Sequence, residues 1–313
     1  MLVRALDHFE TLDLQPVFSE LAKRLPEPVK APVRRALQPR RRRAADAAHR
    51  QQFAAWARDG YMVLPGLFDA AQVAKADIFD DVWATRHHDE RGIVADAYAL
   101  PVPRRYFRDV PDSARDQPYK LNDLYLVDDD VRSIILAEPL VAMLRQLAGD
   151  EIVAFNSLHL ERGSAQDYHL DTFYMPPPPG GRLIVSSICL EDVHPDAGPL
   201  GYYAGSHLIE PFLNCDGDRR ARTMQEHTDA FGHIYGEIER RQLSPTIFCG
   251  KAGDTFIWHE QLLHSGTPII DMQRTRKTIV THYCTKSSMT GVDLVQHGSG
   301  WYVRRPAPAV DAD

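Results

Sequence analysis

The sequence predicts a mainly β core with helices flanking it, on three observations. From Glu151 onward, short β-type runs recur: EIVAFNSLHLE, AQDYHLDTFY, RLIVSSICLEDV, TIFCG, GDTFIWH and TRKTIVTHYC. They are rich in β-branched and aromatic residues, and Gly, Pro and Asp separate them, the punctuation of a sandwich or barrel built from short antiparallel strands. Before Glu151 the texture is chiefly helical. At 313 residues and 44% hydrophobic content the chain is long enough to bury one large core plus decorations.

Taken in order, residues 1–47 mix helical patterns with prolines and end in QPRRRRAAD. They form an N-terminal extension to a domain spanning 48–313, and the Arg40 to Arg43 run reads as a solvated charge cluster without assigned function. HRQQFAAWARDG is an amphipathic helix that stops at Gly60, and YMVLPGLF is a strand. DAAQVAKADIFDDVWATR continues as one helix behind Asp69 as N-cap, and EPLVAMLRQLAG is a further helix. Within the β half, Leu208 to Ser244 is polar and helix-forming, and reads as an insertion over the core. Long insertions in compact domains are often lids, so it is expected to select substrate and to be dispensable for the chemistry beneath.

The net charge of −7 and a pI near 6.0 argue against a general nucleic-acid binder. Cys189, Cys215, Cys249 and Cys284 are scattered and form no CxxC, which suggests neither a disulfide framework nor a zinc knuckle and fits a reducing cytoplasm. The first residues are too acidic for a signal peptide, and no window offers a membrane-spanning run. A small-molecule substrate is therefore expected, with no nucleic-acid or membrane partner.

The run YHLDTFY raises a metal site. On a strand, His169 and Asp171 point to one face and can reach one ion. With 14 histidines, chance supplies such pairs, and the chain holds three more: His87 with Asp89, His194 with Asp196, and His227 with Asp229. The first lies at a polar helix end and the third in the helical insertion, where a separation of two splits the faces. The second flanks Pro195 in a turn. Only His169 and Asp171 lie in a β-type run, bracketed by Tyr168, Phe173 and Tyr174.

A third ligand has to come from elsewhere, and two histidines with one carboxylate suit non-haem Fe(II). GDTFIWHEQLLHSGTP offers His259 and His264, between which spacing does not choose. Downstream, Arg274 and Arg276 share parity, with Arg276 entering a β-branched strand. An arginine buried there needs an anionic partner, which a dicarboxylic cosubstrate can supply.

At this point the chain resembles the phytanoyl-CoA dioxygenase family of Fe(II)- and 2-oxoglutarate-dependent oxygenases, from about Phe53 to Tyr283. RDGYMVLPGLF, YHLD, LEDVHPDAGPLGYYAGSH and GDTFIWHEQLLHSG with a downstream Arg occur in the family's order. Ala197 and Ala204 depart from the usual Asn and Pro of the third stretch. The resemblance implies a double-stranded β-helix, a cupin-like jelly roll. It implies His169, Asp171 and His264, rather than His259, as metal ligands, and Arg276, with Arg274 as lesser candidate, on the distal carboxylate of 2-oxoglutarate. It also implies Lys120, in KLND, near 2-oxoglutarate, and Tyr174 as a pocket aromatic.

The activity so implied consumes O2 and 2-oxoglutarate and hydroxylates an unactivated carbon of a small molecule, releasing succinate and CO2. Halogenating relatives lack the carboxylate that Asp171 provides here. A zinc hydrolase on the same ligands is the rival enzyme class, and hydrolysis has no need of Arg276. A non-catalytic small-molecule binder of the same fold is the other rival.

Overall fold

The computed structural model describes residues 50–217 and 219–310. The expected N-terminal extension and its arginine run lie outside them. Residues 50–59 are helical and end at Gly60, whose φ of 78° leaves the helix as only glycine does without strain. Strand β1 (Tyr61–Leu64) follows.

The stretch expected as one helix behind Asp69 is two, Ala70–Ala76 and Phe79–Thr85. Asp69 does cap the first, in a reciprocal capping box with Gln72. Asp77 leaves the helical region, and its carboxylate takes Lys277 Nζ at 2.9 Å, so a long-range ion pair sits where the helix breaks. Helices Asp129–Ile135 and Glu138–Ala148 precede the β half, the latter closed by Gly149 in the left-handed conformation.

Three strands lie where none was expected, ahead of Glu151: β2 (Val94–Ala97), β3 (Arg104–Tyr106) and β4 (Tyr119–Asn122). The rest are β5 (Ile152–Leu160), β6 (Leu183–Cys189), β7 (Leu200–Tyr203), β8 (Pro245–Phe248), β9 (Thr255–His259), β10 (His264–Gly266), β11 (Thr278–Thr285), β12 (Leu294–His297) and β13 (Gly300–Val303). The larger sheet runs β1-β9-β6-β11-β5-β4-β2-β3, with β13 added in parallel on β5, and the smaller runs β10-β7-β8. All the other pairings are antiparallel, and the two sheets form a jelly roll, the double-stranded β-helix.

The alternation of each strand sends one set of side chains into the space between the sheets. There β4 contributes Lys120 and Asn122, β5 Asn156, Leu158 and Leu160, and β11 Val280 and His282. The register of β11 against β5 shifts between His282 and Tyr283, a bulge beside the cavity.

The insertion between β7 and β8 carries one long helix, Met224–Arg241, opened by a Thr223–Glu226 capping box. Its buried residues Ala230, Ile234 and Ile238 share a core with Leu170, Phe173, Ile209 and Leu263. Leu170, Phe173 and Leu263 are close neighbours of Asp171 and His264 in sequence. The helix therefore packs against the segments that carry those two residues.

Candidate metal centre

Two strand-end segments meet in a single narrow pair. His169 N donates to His264 O at 2.9 Å, and His264 N donates to His169 O at 3.1 Å. The pairing is an isolated bridge, so the AQDYHLDTFY run is not the continuous strand expected. After His169 the chain enters a 3-10 turn, Asp171–Phe173. Leu170 between them is still extended, so His169 and Asp171 keep the shared face expected of a strand, and the chain turns only from Asp171 onward. Gln261 Nε2 donates to Thr172 Oγ1 at 2.8 Å and ties that turn to the segment leading into His264.

The result is a cluster of His169, Asp171 and His264, all buried, with one ligand atom of each within 4.8 Å of the others. The two imidazole rings lie 4.3 Å apart, and His264 Nε2 is 3.7 Å from Asp171 Oδ1. Each ring has its Nδ1 on a backbone carbonyl two residues back, Asp167 O at 2.8 Å and Leu262 O at 2.9 Å. A carbonyl only accepts, so both Nδ1 atoms carry a proton, and in a neutral ring the lone pair is then on Nε2. That is the tautomer a metal ligand requires, held before any metal arrives.

Electrostatics agree with this. Burial, reinforced by His264, pushes His169 down to about 3, so its imidazole is neutral near pH 7. Burial opposes ionisation of Asp171, but His264, His282 and His169 outweigh it and hold the carboxyl below its usual range. Two imidazole nitrogens and one carboxylate oxygen, converging in a buried site, are the donor set for a divalent transition metal that keeps open positions.

The cluster opens into a cavity of about 500 Å³ between the sheets. Arg276 reaches it, 5% exposed, with Nη1 on Gly198 O at 2.8 Å and Nε without a partner. Gly198 has φ +71°, and a Cβ there would sit 2.8 Å from Ile269 Cγ1, so the AGPL turn can present that carbonyl only with glycine in place. Burial lowers Arg276 to about 10, still protonated near neutrality. Arg274 is elsewhere, half exposed and paired with Asp271 at 3.1 Å.

His259 also lies outside this cavity, packed against Trp56 and His207, with ring centroids 5.9 and 5.4 Å away. Lys120 is in the cavity wall, its ammonium 5.3 Å from the Tyr98 ring and its pKa lowered by burial although Asp96 opposes the shift. Tyr174, 52% exposed, stands at the cavity with its ring edge-on to His169 at 5.7 Å. The other three His/Asp pairs stay apart from the cavity lining.

Sequence reasoning passed over three contributors. Trp258 Nε1 donates to Asp171 Oδ2 at 2.9 Å, His282 Nε2 stands 3.4 Å from Asp171 Oδ1, and Ser206 Oγ accepts from Leu263 N at 2.8 Å, beside His264. Ser206 belongs to the GSH element, which was legible as a motif though not as a support for His264. Nothing in the spacing of Trp258 or His282 singles them out.

The profile of one protein family, described as phytanoyl-CoA dioxygenase, matches residues 56–277. No curated protein matches the chain. Among solved structures, the non-heme alpha ketoglutarate dependent epimerase SnoN from nogalamycin biosynthesis is 20% identical at a TM-score of 0.57, covering 83% of this chain and all (100%) of that one. The carbocyclase SnoK of the same biosynthesis is 16% identical at 0.55, covering 75% of this chain and 83% of that one. EctD from S. alaskensis with bound Fe is 19% identical at 0.55, covering 82% and 81%. At such identities the likeness is one of fold.

Proposed function

The chain belongs to the phytanoyl-CoA dioxygenase family, and from that premise we propose that it is an Fe(II)- and 2-oxoglutarate-dependent oxygenase that hydroxylates an unactivated carbon of a small molecule. One observation carries the reading: a preset His169–Asp171–His264 cluster and a buried, incompletely paired Arg276 open into the same cavity. SnoN has been solved with Fe3+ and alpha ketoglutarate, which supports the same pair of groups here.

His169 Nε2, His264 Nε2 and one oxygen of Asp171 hold the iron. Arg276 takes the far carboxylate of 2-oxoglutarate, its guanidinium giving that charge the pair it lacks. Lys120 adds a second cation to the same wall. Bound iron and 2-oxoglutarate supply the oxidising chemistry, in which O2 is consumed, the cosubstrate becomes succinate and CO2, and one oxygen atom passes to a substrate carbon.

The protein's own part is binding, orientation and exclusion of water. Leu158, Leu160, Leu200, Val280 and Trp258 line the cavity with apolar surface. Tyr174 borders the cavity next to His169 and selects among substrates. A zinc hydrolase on the same ligands leaves Arg276 without a task, and a non-catalytic binder leaves the ordered metal ligands without one.

The test is succinate release by the purified protein with Fe(II), 2-oxoglutarate and O2 across a panel of small molecules. Coupled release with a product that gains one oxygen atom supports hydroxylation. A product that is epimerised, cyclised or desaturated keeps the oxygenase class and rejects hydroxylation. No succinate with any member, nor slowly without substrate, rejects the class.

A further inference from the structure

We propose that Trp258 is a positioning residue that limits Asp171 to giving a metal one oxygen. The proposal rests on the iron reading above. The two carboxylate oxygens differ in their surroundings. Oδ2 accepts the Trp258 indole N–H at 2.9 Å, and no other donor reaches it among the described residues. Oδ1 lies on the side of the ligand histidines, 3.7 Å from His264 Nε2, with His282 Nε2 at 3.4 Å. A free carboxylate can rotate and bind an ion through both oxygens. This one is held by a donor that occupies the second oxygen.

The donor itself cannot move aside. Trp258 is 1% exposed and packs with Leu183, Val185, Tyr202, Phe256 and Leu262. Its strand is paired on both edges, with Tyr61 on one side and Val185 on the other. Its ring also lies 5.2 Å from that of His264, so one side chain borders two of the three ligands. Breaking its contact with Asp171 also leaves a buried N–H unpaired, which resists any swing of the carboxylate.

The consequence concerns open positions. A cosubstrate that binds through two atoms, with O2 beside it, needs three positions left free by three ligand atoms. A carboxylate using both oxygens takes one of those positions. Trp258 therefore protects cosubstrate binding through the carboxylate it holds.

Trp258→Phe keeps an aromatic ring in the core and removes the N–H. Cobalt(II) serves as a spectroscopic probe in place of iron, since its visible absorption weakens as coordination number rises. The expected result is a weaker, altered Co(II) spectrum with unchanged far-UV circular dichroism. Affinity of the Co(II) protein for 2-oxoglutarate should fall about 10- to 100-fold, the scale on which losing a partner of a metal ligand weakens metal binding or activity. If the Phe variant does not fold, benzothienylalanine at position 258 keeps both rings, lacks only the N–H and gives the same comparison. A folded variant whose Co(II) spectrum and 2-oxoglutarate affinity match wild type overturns the proposal. Failure of the wild-type protein to bind Co(II) or Fe(II) at all overturns the iron reading instead.

Discussion

Arg276→Met should separate stability from cosubstrate binding. Arg276 falls from 12.5 to about 10 on burial, and at about 1.4 kcal/mol for each tenfold, keeping that charge inside costs the folded protein about 3 kcal/mol. Its hydrogen bond to Gly198 O offsets about 1.5–3 kcal/mol of this. Replacement by Met relieves the first and forfeits the second. Stability of the ligand-free variant should then stay within about 2 kcal/mol of wild type by urea titration. Binding of 2-oxoglutarate goes the other way, because its distal carboxylate loses its guanidinium partner at a cost of about 2–5 kcal/mol. That is about a 30- to 4,000-fold weaker Kd, read by anaerobic calorimetric titration of the metal-loaded protein. Metal affinity should be unchanged, and Arg274→Met, which removes an exposed pair, should behave as wild type. Wild-type 2-oxoglutarate affinity in Arg276→Met, or a defect carried by Arg274→Met, would refute the reasoning.

Three further outcomes follow from the same geometry. His264→Ala should lose Fe(II) in a calorimetric titration while His259→Ala keeps it; equal loss in both means the third ligand is misassigned. Ile234→Ala, in the insertion helix, should cost about 2–5 kcal/mol and weaken the metal as well, because Ile234 packs with Leu170, Phe173 and Leu263; intact metal binding after a Gly-Ser linker replaces the whole insertion would count against this support and for a lid alone. The third concerns His159, which is fully buried with both ring nitrogens unpartnered and is pushed from 6.5 down to about 3. The unfolded chain takes up its proton first, so stability present above about pH 6.5 is lost as pH falls toward 3, about 3 kcal/mol of it by pH 4. His159→Phe should therefore move acid unfolding, followed by circular dichroism, to lower pH, and an unmoved midpoint counts against this account.

Much of the fold and site was legible because the features are local in the chain. The long β runs that became β5, β6, β9 and β11 carry their own composition. The short strands β2 to β4 were not legible, since VADA, RRY and YKLN are too brief and polar to show alternation. The break at Asp77 coincides with Lys277, two hundred residues on, and no local pattern encodes it. His169, Asp171, His264 and Arg276 could be picked out by motif. The shared face expected of the first two holds through the extended Leu170, but the strand there is only a bridge and gives way to a 3-10 turn at Asp171. Lys120 was named only through the family resemblance, and the strand that brings it to the cavity, β4, had not been foreseen. Trp258 and His282 act on Asp171 across strands, and such contacts exist only once the sheet is assembled.

The mutual backbone pair of His169 and His264, with both Nδ1 protons already parked on carbonyls, bears on which metal the protein ends up carrying. A site assembled in advance charges no entry fee that iron alone could meet. Imidazole and carboxylate bind Zn(II) and Cu(II) more tightly than Fe(II) by intrinsic affinity. Iron occupancy then depends on which ion the surroundings supply, and protein purified over immobilised nickel or in trace zinc is expected to carry those ions in place of iron. Reconstitution after chelation, and competition by Zn(II) in the succinate assay, belong in any work on this enzyme.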